Sequence, residues 1–166
     1  MKIFLIGMPG SGKTTLGKQV ATHLDIAFVD LDAEIEKAEQ RSISEIFSHK
    51  GEDYFRLLES KLLREWAASA VSFVMATGGG APCFHRGIDL INEYGISVFL
   101  DCPVSELMER VRKNRDRPLL LASDEPELKD RLERMLENRR DCYNKANIIL
   151  QDASLHTLLK RLELRT

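Results

Sequence analysis

The feature that most constrains this chain is a glycine-rich stretch directly after its first apolar run. Residues 3–6 are apolar, and residues 7–14 read GMPGSGKT, which has the spacing of a P-loop. Glycines at such positions let backbone N–H groups approach a polyphosphate, because no Cβ blocks the way. The pattern predicts a strand, a phosphate-binding loop and the start of a helix. The candidate nucleotide contacts are Gly10, Ser11, Gly12, Lys13, Thr14 and Thr15.

Two side chains of this loop have separate chemical roles. Lys13 places a positive charge on the β- and γ-phosphates, and the hydroxyl of Thr14 is a candidate Mg²⁺ ligand. The helix that starts near Lys13 directs the positive end of its dipole at the same anion. We therefore expect binding of a polyphosphate with Mg²⁺, and a plain strand-to-helix turn is the alternative.

Composition and charge favour one soluble domain. A chain of 166 residues, 43% of them hydrophobic, can bury one core, and its net charge of -2 offers no basic field to nucleic acid or membrane. The three cysteines form no C-x-x-C pair, which argues against a disulfide framework or a zinc site. No apolar run reaches the ~20 residues of a membrane span, and no signal peptide is evident. We expect a cytoplasmic protein, by default a monomer.

Apolar runs and helical periodicities alternate along the chain. Strands are predicted at residues 3–6, 26–29, 71–76, 96–100 and 148–150, and helices at residues 13–24, 33–40, 42–50, 51–66, 84–94, 104–113 and 127–144, with one more helix at the end. This alternation predicts a three-layer α/β/α fold with a five-stranded parallel sheet, of the P-loop kinase type. Residues 40–66 contain no strand, so this part is predicted to leave the sheet.

Acidic residues follow two of the predicted strands. Asp30 and Asp32 come after the second strand, where open α/β sheets bind their ligands. The alternative is that Asp32 caps the next helix and Asp30 is solvated in a loop. Asp101 follows the fourth strand and competes with Asp30 as a Mg²⁺ ligand, although an N-cap role before Pro103 explains it equally well. Asp30 ranks first.

Three further features point to a bound anion or to close packing. Gly78, Gly79 and Gly80 follow the third strand, and three consecutive glycines are expected where the backbone comes very near another group. Helical spacing places Arg139 on an inward face, where it needs an anionic partner. For Arg56 the pattern alone favours a surface ion pair with Glu59.

Taken together, these motifs resemble those of the shikimate kinase family. The resemblance covers nearly the whole chain and rests on the P-loop, Asp30-Leu31-Asp32, Phe55-Arg56-x-x-Glu59, Thr77-Gly78-Gly79-Gly80-Ala81, Arg117-Pro118-Leu119-Leu120 and Arg139-x-x-x-Tyr143. It implies the strand order 2-3-1-4-5 and a single domain of residues 1–166, with a substrate-binding helical excursion at residues 31–60 and a mobile lid at residues 113–125. It also implies transfer of the γ-phosphoryl group of ATP to the 3-hydroxyl of shikimate, in the biosynthesis of chorismate and aromatic amino acids.

The same resemblance implies a role for each candidate residue. Lys13, Asp32 and Arg117 are the catalytic candidates: Asp32 contacts the substrate hydroxyls and is the candidate proton acceptor, and Arg117 reaches the ATP phosphates from the lid. The substrate carboxylate is held by Arg56, Arg139 and the backbone at Gly78, Gly79 and Gly80. Thr14 and Asp30 position Mg²⁺, and Arg110 lies against the adenine.

Other readings remain open from the sequence. Another small-metabolite kinase of this fold, such as a gluconate kinase or a nucleoside monophosphate kinase, would share the P-loop but should lack the set formed by Arg56, the three glycines and Arg139. A non-catalytic nucleotide-binding sensor is the rival from a different class. The apparently complete catalytic set argues against the sensor.

Overall fold

A computed structural model of the chain describes residues 1–113 and 124–163. Five strands form one parallel sheet in the order β2-β3-β1-β4-β5. The strands are β1 (Lys2–Ile6), β2 (Ala27–Asp30), β3 (Phe73–Ala76), β4 (Ile96–Leu100) and β5 (Ile148–Leu150). The helices are α1 (Lys13–Leu24), α2 (Leu31–Glu39), α3 (Ile43–Ala68), α4 (Gly87–Tyr94), α5 (Val104–Arg112), α6 (Glu125–Tyr143) and α7 (Leu155–Glu163). The predicted fold class and strand order are confirmed.

Helices cover both faces of the sheet, and the side chains of β1 show why. Ile3 and Leu5 pack in a cluster with residues of α1 and α7. Phe4 and Ile6 belong to a second, larger cluster with residues of α2 to α6. Because successive side chains of a strand point to opposite faces, an all-apolar strand needs cover on both sides. Within the described part of the chain, no helix has the length and apolar composition that crossing a membrane requires.

Helix α3 contains the predicted break at Gly51 and buries a wider face than predicted. Gly51 has φ 80° and ψ 172°, outside the helical range, and helical turns continue on both sides of it. The stripe predicted to face inward was Phe55, Leu58, Leu62 and Trp66. This stripe does pack on the core, with Phe55 buried and the other three residues partly buried. The buried residues after the break also include Arg56, Glu59, Leu63 and Ala67. Two charged side chains therefore lie on the buried face of this helix.

Several element ends differ from the prediction by a few residues, and one difference concerns the predicted lid. Helix α6 begins at Glu125 rather than at residue 127, because the Asp124 carboxylate caps it by accepting a hydrogen bond from the Glu127 N–H (2.9 Å) and Pro126 fits the first turn. The predicted lid, residues 113–125, thus includes the start of a helix. Its residues 114–123, and with them Arg117, lie outside the described residues.

The carboxyl ends of the parallel strands meet at one edge of the sheet. There β1 leads into the P-loop, β2 ends at Asp30, and β3 leads into the segment of residues 77–81, which we call the glycine loop. Because β2, β3 and β1 are neighbours in the sheet, these three segments lie side by side.

Candidate active site

The P-loop joins β1 to α1 in the predicted way. Gly10 and Gly12 have φ values of 82° and 95°, which residues with a Cβ rarely adopt. Gly12 is the N-cap of α1, so the unpaired N–H groups of the helix start open onto the loop. The Lys13 ammonium lies across the loop and donates hydrogen bonds to the carbonyl oxygens of Gly7 (2.9 Å) and Met8 (2.8 Å). Cationic and N–H groups are thus gathered where a polyphosphate would bind.

Thr14 and Asp30 meet between α1 and the end of β2. Thr14 Oγ1 donates a hydrogen bond to Asp30 Oδ2 over 3.1 Å. Asp30 Oδ1 accepts from the N–H groups of Asp32 (3.1 Å) and Ala33 (3.4 Å), which makes Asp30 the N-cap of α2. The alternative in which Asp32 caps this helix is therefore wrong. The Asp32 carboxylate lies beside the glycine loop, where Oδ1 would be 3.2 Å from a Cβ on Gly78.

The contact between Thr14 and Asp30 offers a hydroxyl and a carboxylate oxygen to one cation. Mg²⁺ prefers oxygen ligands and usually takes one or two from the protein and the others from phosphates and water. The described residues contain no group of three or more His, Cys, Asp or Glu side chains that could hold a metal ion. The two oxygens therefore fit a Mg²⁺ ion that arrives with a nucleotide.

The three glycines at residues 78–80 lie against charged side chains. A Cβ on the first would be 2.5 Å from Glu59 Oε2. A Cβ on the second would be 2.9 Å from Arg139 Nη1, and one on the third would be 2.6 Å from Arg56 Cζ. None of the three has a positive φ, so the backbone conformation does not itself require glycine. As predicted, close approach is the reason for the glycines.

Arg56 and Glu59 form a buried ion pair. Arg56 Nη1 donates to Glu59 Oε1 over 2.7 Å, and the two side chains are 4% and 2% exposed. Burial raises the pKa of Glu59 from 4.5 to about 7, although the adjacent Arg56 acts in the opposite direction. The ion pair was predicted, but its predicted surface position is wrong. The glycine loop packs on the pair and removes it from water, which helical periodicity cannot show.

Arg139 is the second buried arginine, as its helical spacing predicted. It is 9% exposed on α6, and within the described residues no carboxylate lies within 4.0 Å of its guanidinium. One turn later, the Tyr143 hydroxyl donates to the carbonyl oxygen of Gly79 over 2.6 Å and ties α6 to the glycine loop. Burial raises the pKa of Tyr143 above its usual value, which keeps this donor protonated. A buried guanidinium in this setting calls for an anionic ligand.

A cavity of about 300 Å³ connects the P-loop with the glycine loop. Its lining residues are Gly10, Gly12, Lys13, Thr14, Thr15, Asp30, Asp32, Ala33, Glu36, Ala76, Thr77, Gly78 and Gly79. A polyphosphate at the P-loop and a small acid at the glycine loop would therefore share one space.

A second cavity, of about 260 Å³, borders the P-loop at Ser11 and extends along β4, β5 and α5. Arg110 lines it and donates from Nη1 to the carbonyl oxygen of Gly10 over 3.0 Å. Asp101 also lines it and pairs with Arg140 at 3.5 Å. Because Pro103 is the N-cap of α5, the N-cap role considered for Asp101 is wrong.

Comparisons with known proteins agree with this arrangement. A family profile described as shikimate kinase matches residues 9–163. The chain belongs to the shikimate kinase family. A shikimate kinase of Bacteroides fragilis is 42% identical over 150 residues, which cover 90% of this chain and 83% of that protein. The bifunctional shikimate kinase/3-dehydroquinate synthase of Thermotoga maritima is 43% identical over 143 residues, which cover 86% of this chain and 27% of that protein.

Solved structures of other shikimate kinases share the fold. The shikimate kinase of Acinetobacter baumannii in complex with shikimate has a TM-score of 0.89 at 33% identity, and the match covers 99% of this chain and 92% of that one. The shikimate kinase of Bacteroides thetaiotaomicron has a TM-score of 0.88 at 37% identity, with 99% and 97% covered. The resemblance predicted from the motifs is thus confirmed over the whole fold.

Most residues assigned from the shikimate kinase motifs come together in the structure. The P-loop contacts, Asp30 and Asp32 line the first cavity with the glycine loop, and both buried arginines lie against that loop. Arg110 lies at the second cavity and contacts the P-loop at Gly10. Arg117 falls outside the described residues, so its predicted contact with the phosphates stays a prediction.

Sequence reasoning missed Phe84 and Glu36. The Phe84 ring centroid lies 4.3 Å from Arg56 Cζ, and Glu36 lines the first cavity. Glu36 follows Asp32 by one helical turn, so helical spacing could have found it. The position of Phe84 depends on how the segment after the glycine loop turns back toward α3, for which the shikimate kinase motifs contain no signal.

Proposed function

We propose that this protein is a shikimate kinase in activity: it transfers the γ-phosphoryl group of ATP to the 3-hydroxyl of shikimate, giving shikimate 3-phosphate and ADP. The observation that carries the proposal is the placement of Arg139 and Arg56 against adjacent glycines, beside the cavity of the P-loop. Two buried guanidinium groups suit a small carboxylic acid, because each can donate charged hydrogen bonds to a carboxylate. Membership of the shikimate kinase family supports shikimate as this acid, on the way to chorismate and the aromatic amino acids.

The carboxylate end of the site would fix the substrate before reaction. Charged hydrogen bonds contribute about 1.5–3 kcal/mol each, so two arginines can orient one small acid firmly. The backbone at Gly78, Gly79 and Gly80 contributes the remaining contacts of this end. Holding the acid in one orientation aligns its hydroxyl with the phosphate chain, which is the main demand of phosphoryl transfer.

Asp32 would bind the reacting end of the substrate. Its carboxylate lies beside Gly78 and lines the same cavity as Lys13. There it can accept hydrogen bonds from the substrate hydroxyls and take the proton of the attacking hydroxyl. Alignment is its first task, because a loose phosphoryl-transfer transition state places little demand on a strong base.

The P-loop would hold the phosphates. Lys13 and the backbone N–H groups of Gly10, Ser11 and Gly12 bind the β- and γ-phosphates, with Thr15 at the edge of the cavity. Thr14 and Asp30 would hold Mg²⁺, which would supply positive charge beside the phosphates. Arg110 would lie against the adenine in the second cavity, and Arg117, within the proposed lid at residues 113–125, would reach the phosphates and help to exclude water.

We also propose that the enzyme acts as a cytoplasmic monomer, with ATP and shikimate as partners and without nucleic acid or membrane. The helical excursion at residues 31–60 would form the substrate end of its single domain. The net charge of -2 supports the absence of polyanionic partners. The free thiols of Cys83, Cys102 and Cys142 fit a reducing compartment.

A coupled assay of ADP release tests this function. MgATP is supplied with shikimate, quinate, gluconate, AMP or no acceptor, and we expect turnover with shikimate alone. Arg139→Met should lower kcat/KM for shikimate about 100-fold or more, because two charged hydrogen bonds are lost. Arg140→Met is the matched control, since Arg140 is the next residue of α6 and pairs with Asp101. Preference for gluconate or AMP would contradict the substrate assignment, and nucleotide binding without turnover of any acceptor would favour the sensor.

A further inference from the structure

Phe84 is an exposed aromatic residue that covers a buried cation. Its side chain is 38% exposed, whereas Arg56 is only 4% exposed. The Arg56 Cζ lies 4.3 Å from the centroid of the Phe84 ring and 5.1 Å from that of Phe55. Both distances are within the range of cation–π attraction. The ring of Phe84 therefore lies between the guanidinium and solvent.

The glycine loop fixes the position of this ring. The Phe84 N–H donates to the carbonyl oxygen of Gly80 over 3.2 Å, and the Gly87 N–H donates to the carbonyl oxygen of Phe84 over 2.9 Å. The same Gly80 lies against the Arg56 guanidinium. One turn of backbone thus supplies both the glycine that touches Arg56 and the ring that stacks on it.

The hydrogen bonds of Arg56 leave a donor for a ligand. Nη1 donates to Glu59 over 2.7 Å and Nε donates to Glu52 over 3.4 Å. Among the described residues, Nη2 has no acceptor, and it lies 2.7 Å from the position that a Cβ on Gly80 would occupy. The two glutamates accept hydrogen bonds on different sides of the guanidinium, and Phe84 is the nearer of the two aromatic rings that lie against it.

We propose that Phe84 is a positioning residue for the acidic substrate: its ring holds the Arg56 guanidinium in the orientation that binds the substrate carboxylate and keeps water away from it. A guanidinium held in place loses less conformational freedom when it binds a carboxylate, and lower local polarity strengthens the charged hydrogen bond. Phe84 is not among the residues that line either cavity described above, so it would act through Arg56. This inference rests on the proposed function, because it assigns Arg56 to the substrate carboxylate.

Steady-state kinetics of Phe84→Leu test the inference. Leucine keeps the apolar cover but removes the aromatic face. We therefore expect KM for shikimate to rise about five- to tenfold, with kcat and KM for ATP unchanged. A tenfold change in KM corresponds to about 1.4 kcal/mol, which is within the range of a cation–π contact. Phe84→Tyr keeps the aromatic face and should retain the wild-type KM. Tyr94→Leu is a matched control, because Tyr94 is 42% exposed and lies 5.8 Å from the Lys2 ammonium.

The methyl ester of shikimate separates positioning from a general loss of structure. The ester has no anionic carboxylate, so Phe84→Leu should change its KM much less than it changes the KM for shikimate. Equal effects on acid and ester, or a wild-type KM for shikimate in Phe84→Leu, would overturn the inference while leaving the kinase activity intact. If the wild-type protein does not phosphorylate shikimate at all, the proposed function fails first, and that outcome is distinguishable from the others.

Discussion

Replacing Gly80 by alanine tests whether the position of the Arg56 guanidinium determines substrate affinity. A Cβ at residue 80 would lie 2.5, 2.6 and 2.7 Å from Nη1, Cζ and Nη2 of Arg56, whereas Cβ contacts under 3.4 Å are uncommon. The φ of Gly80 is not positive, so the backbone accepts alanine without strain. The guanidinium must therefore move away from the loop by about 0.8 Å.

A displacement of this size weakens the charged hydrogen bond between Arg56 and the substrate. Such a bond contributes about 1.5–3 kcal/mol, so KM for shikimate should rise about 10- to 100-fold in Gly80→Ala. Gly80 is not among the residues that line the P-loop cavity, so KM for ATP should not change. The coupled ADP-release assay measures both constants, and a thermal unfolding curve checks that the variant folds.

Gly51→Ala is the control, because it should strain the backbone without displacing any side chain. Nothing lies within 4 Å of a Cβ on Gly51, but its φ of 80° is unfavourable for alanine. Because its ψ is 172°, Gly51 lies in a backbone region that essentially only glycine adopts, so this variant should lose about 1–3 kcal/mol of stability and keep the wild-type KM for shikimate. The reasoning is refuted if folded Gly80→Ala has the wild-type KM, or if Gly51→Ala raises KM by the same factor.

Three further predictions concern charge and ionisation. Burial raises the pKa of Glu59 to about 7, so the stability of the wild type relative to Glu59→Gln should be greatest below about pH 4.5 and should fall by up to about 3 kcal/mol as the pH rises through 7. Parallel curves of unfolding free energy against pH, measured with urea, would contradict this. Asp30→Asn should raise the Mg²⁺ concentration for half-maximal activity about tenfold or more, whereas Asp101→Asn should not change it. Equal effects of the two substitutions would support Asp101 as a Mg²⁺ ligand and contradict this prediction. A hydrogen bond from Cys83 and the nearby Lys145 lower the pKa of Cys142, whereas burial raises the pKa of Cys102 to about 11. Iodoacetamide at pH 8 should therefore alkylate Cys142 before Cys102, and peptide mass spectrometry showing the reverse order would disprove it.

Features carried by local sequence were predictable. The P-loop spacing predicted the strand, the glycine turn and the helix start at Lys13, because these residues are consecutive in the chain. Alternating apolar runs and helical patterns predicted the layers of the sheet. Helical spacing also placed Arg139 on the buried face of α6, since a single helix keeps its phase over that distance.

Features that depend on distant segments could not be predicted in the same way. Arg56 and Glu59 were recognised as a pair, but their burial follows from the glycine loop packing on α3. Asp101 looked like a cap or a metal ligand because its partner, Arg140, comes from another helix. In each case the deciding contact joins residues that are far apart in sequence.

The most direct test of the central claim is NMR analysis of the product formed from MgATP and shikimate by the wild-type protein. The account predicts one equivalent of ADP and a phosphate ester whose phosphorus couples to the proton on carbon 3 of shikimate. Release of ADP with inorganic phosphate and unmodified shikimate, or a phosphate on another hydroxyl, would contradict it, because the arginines at the glycine loop would then not orient the 3-hydroxyl toward the P-loop.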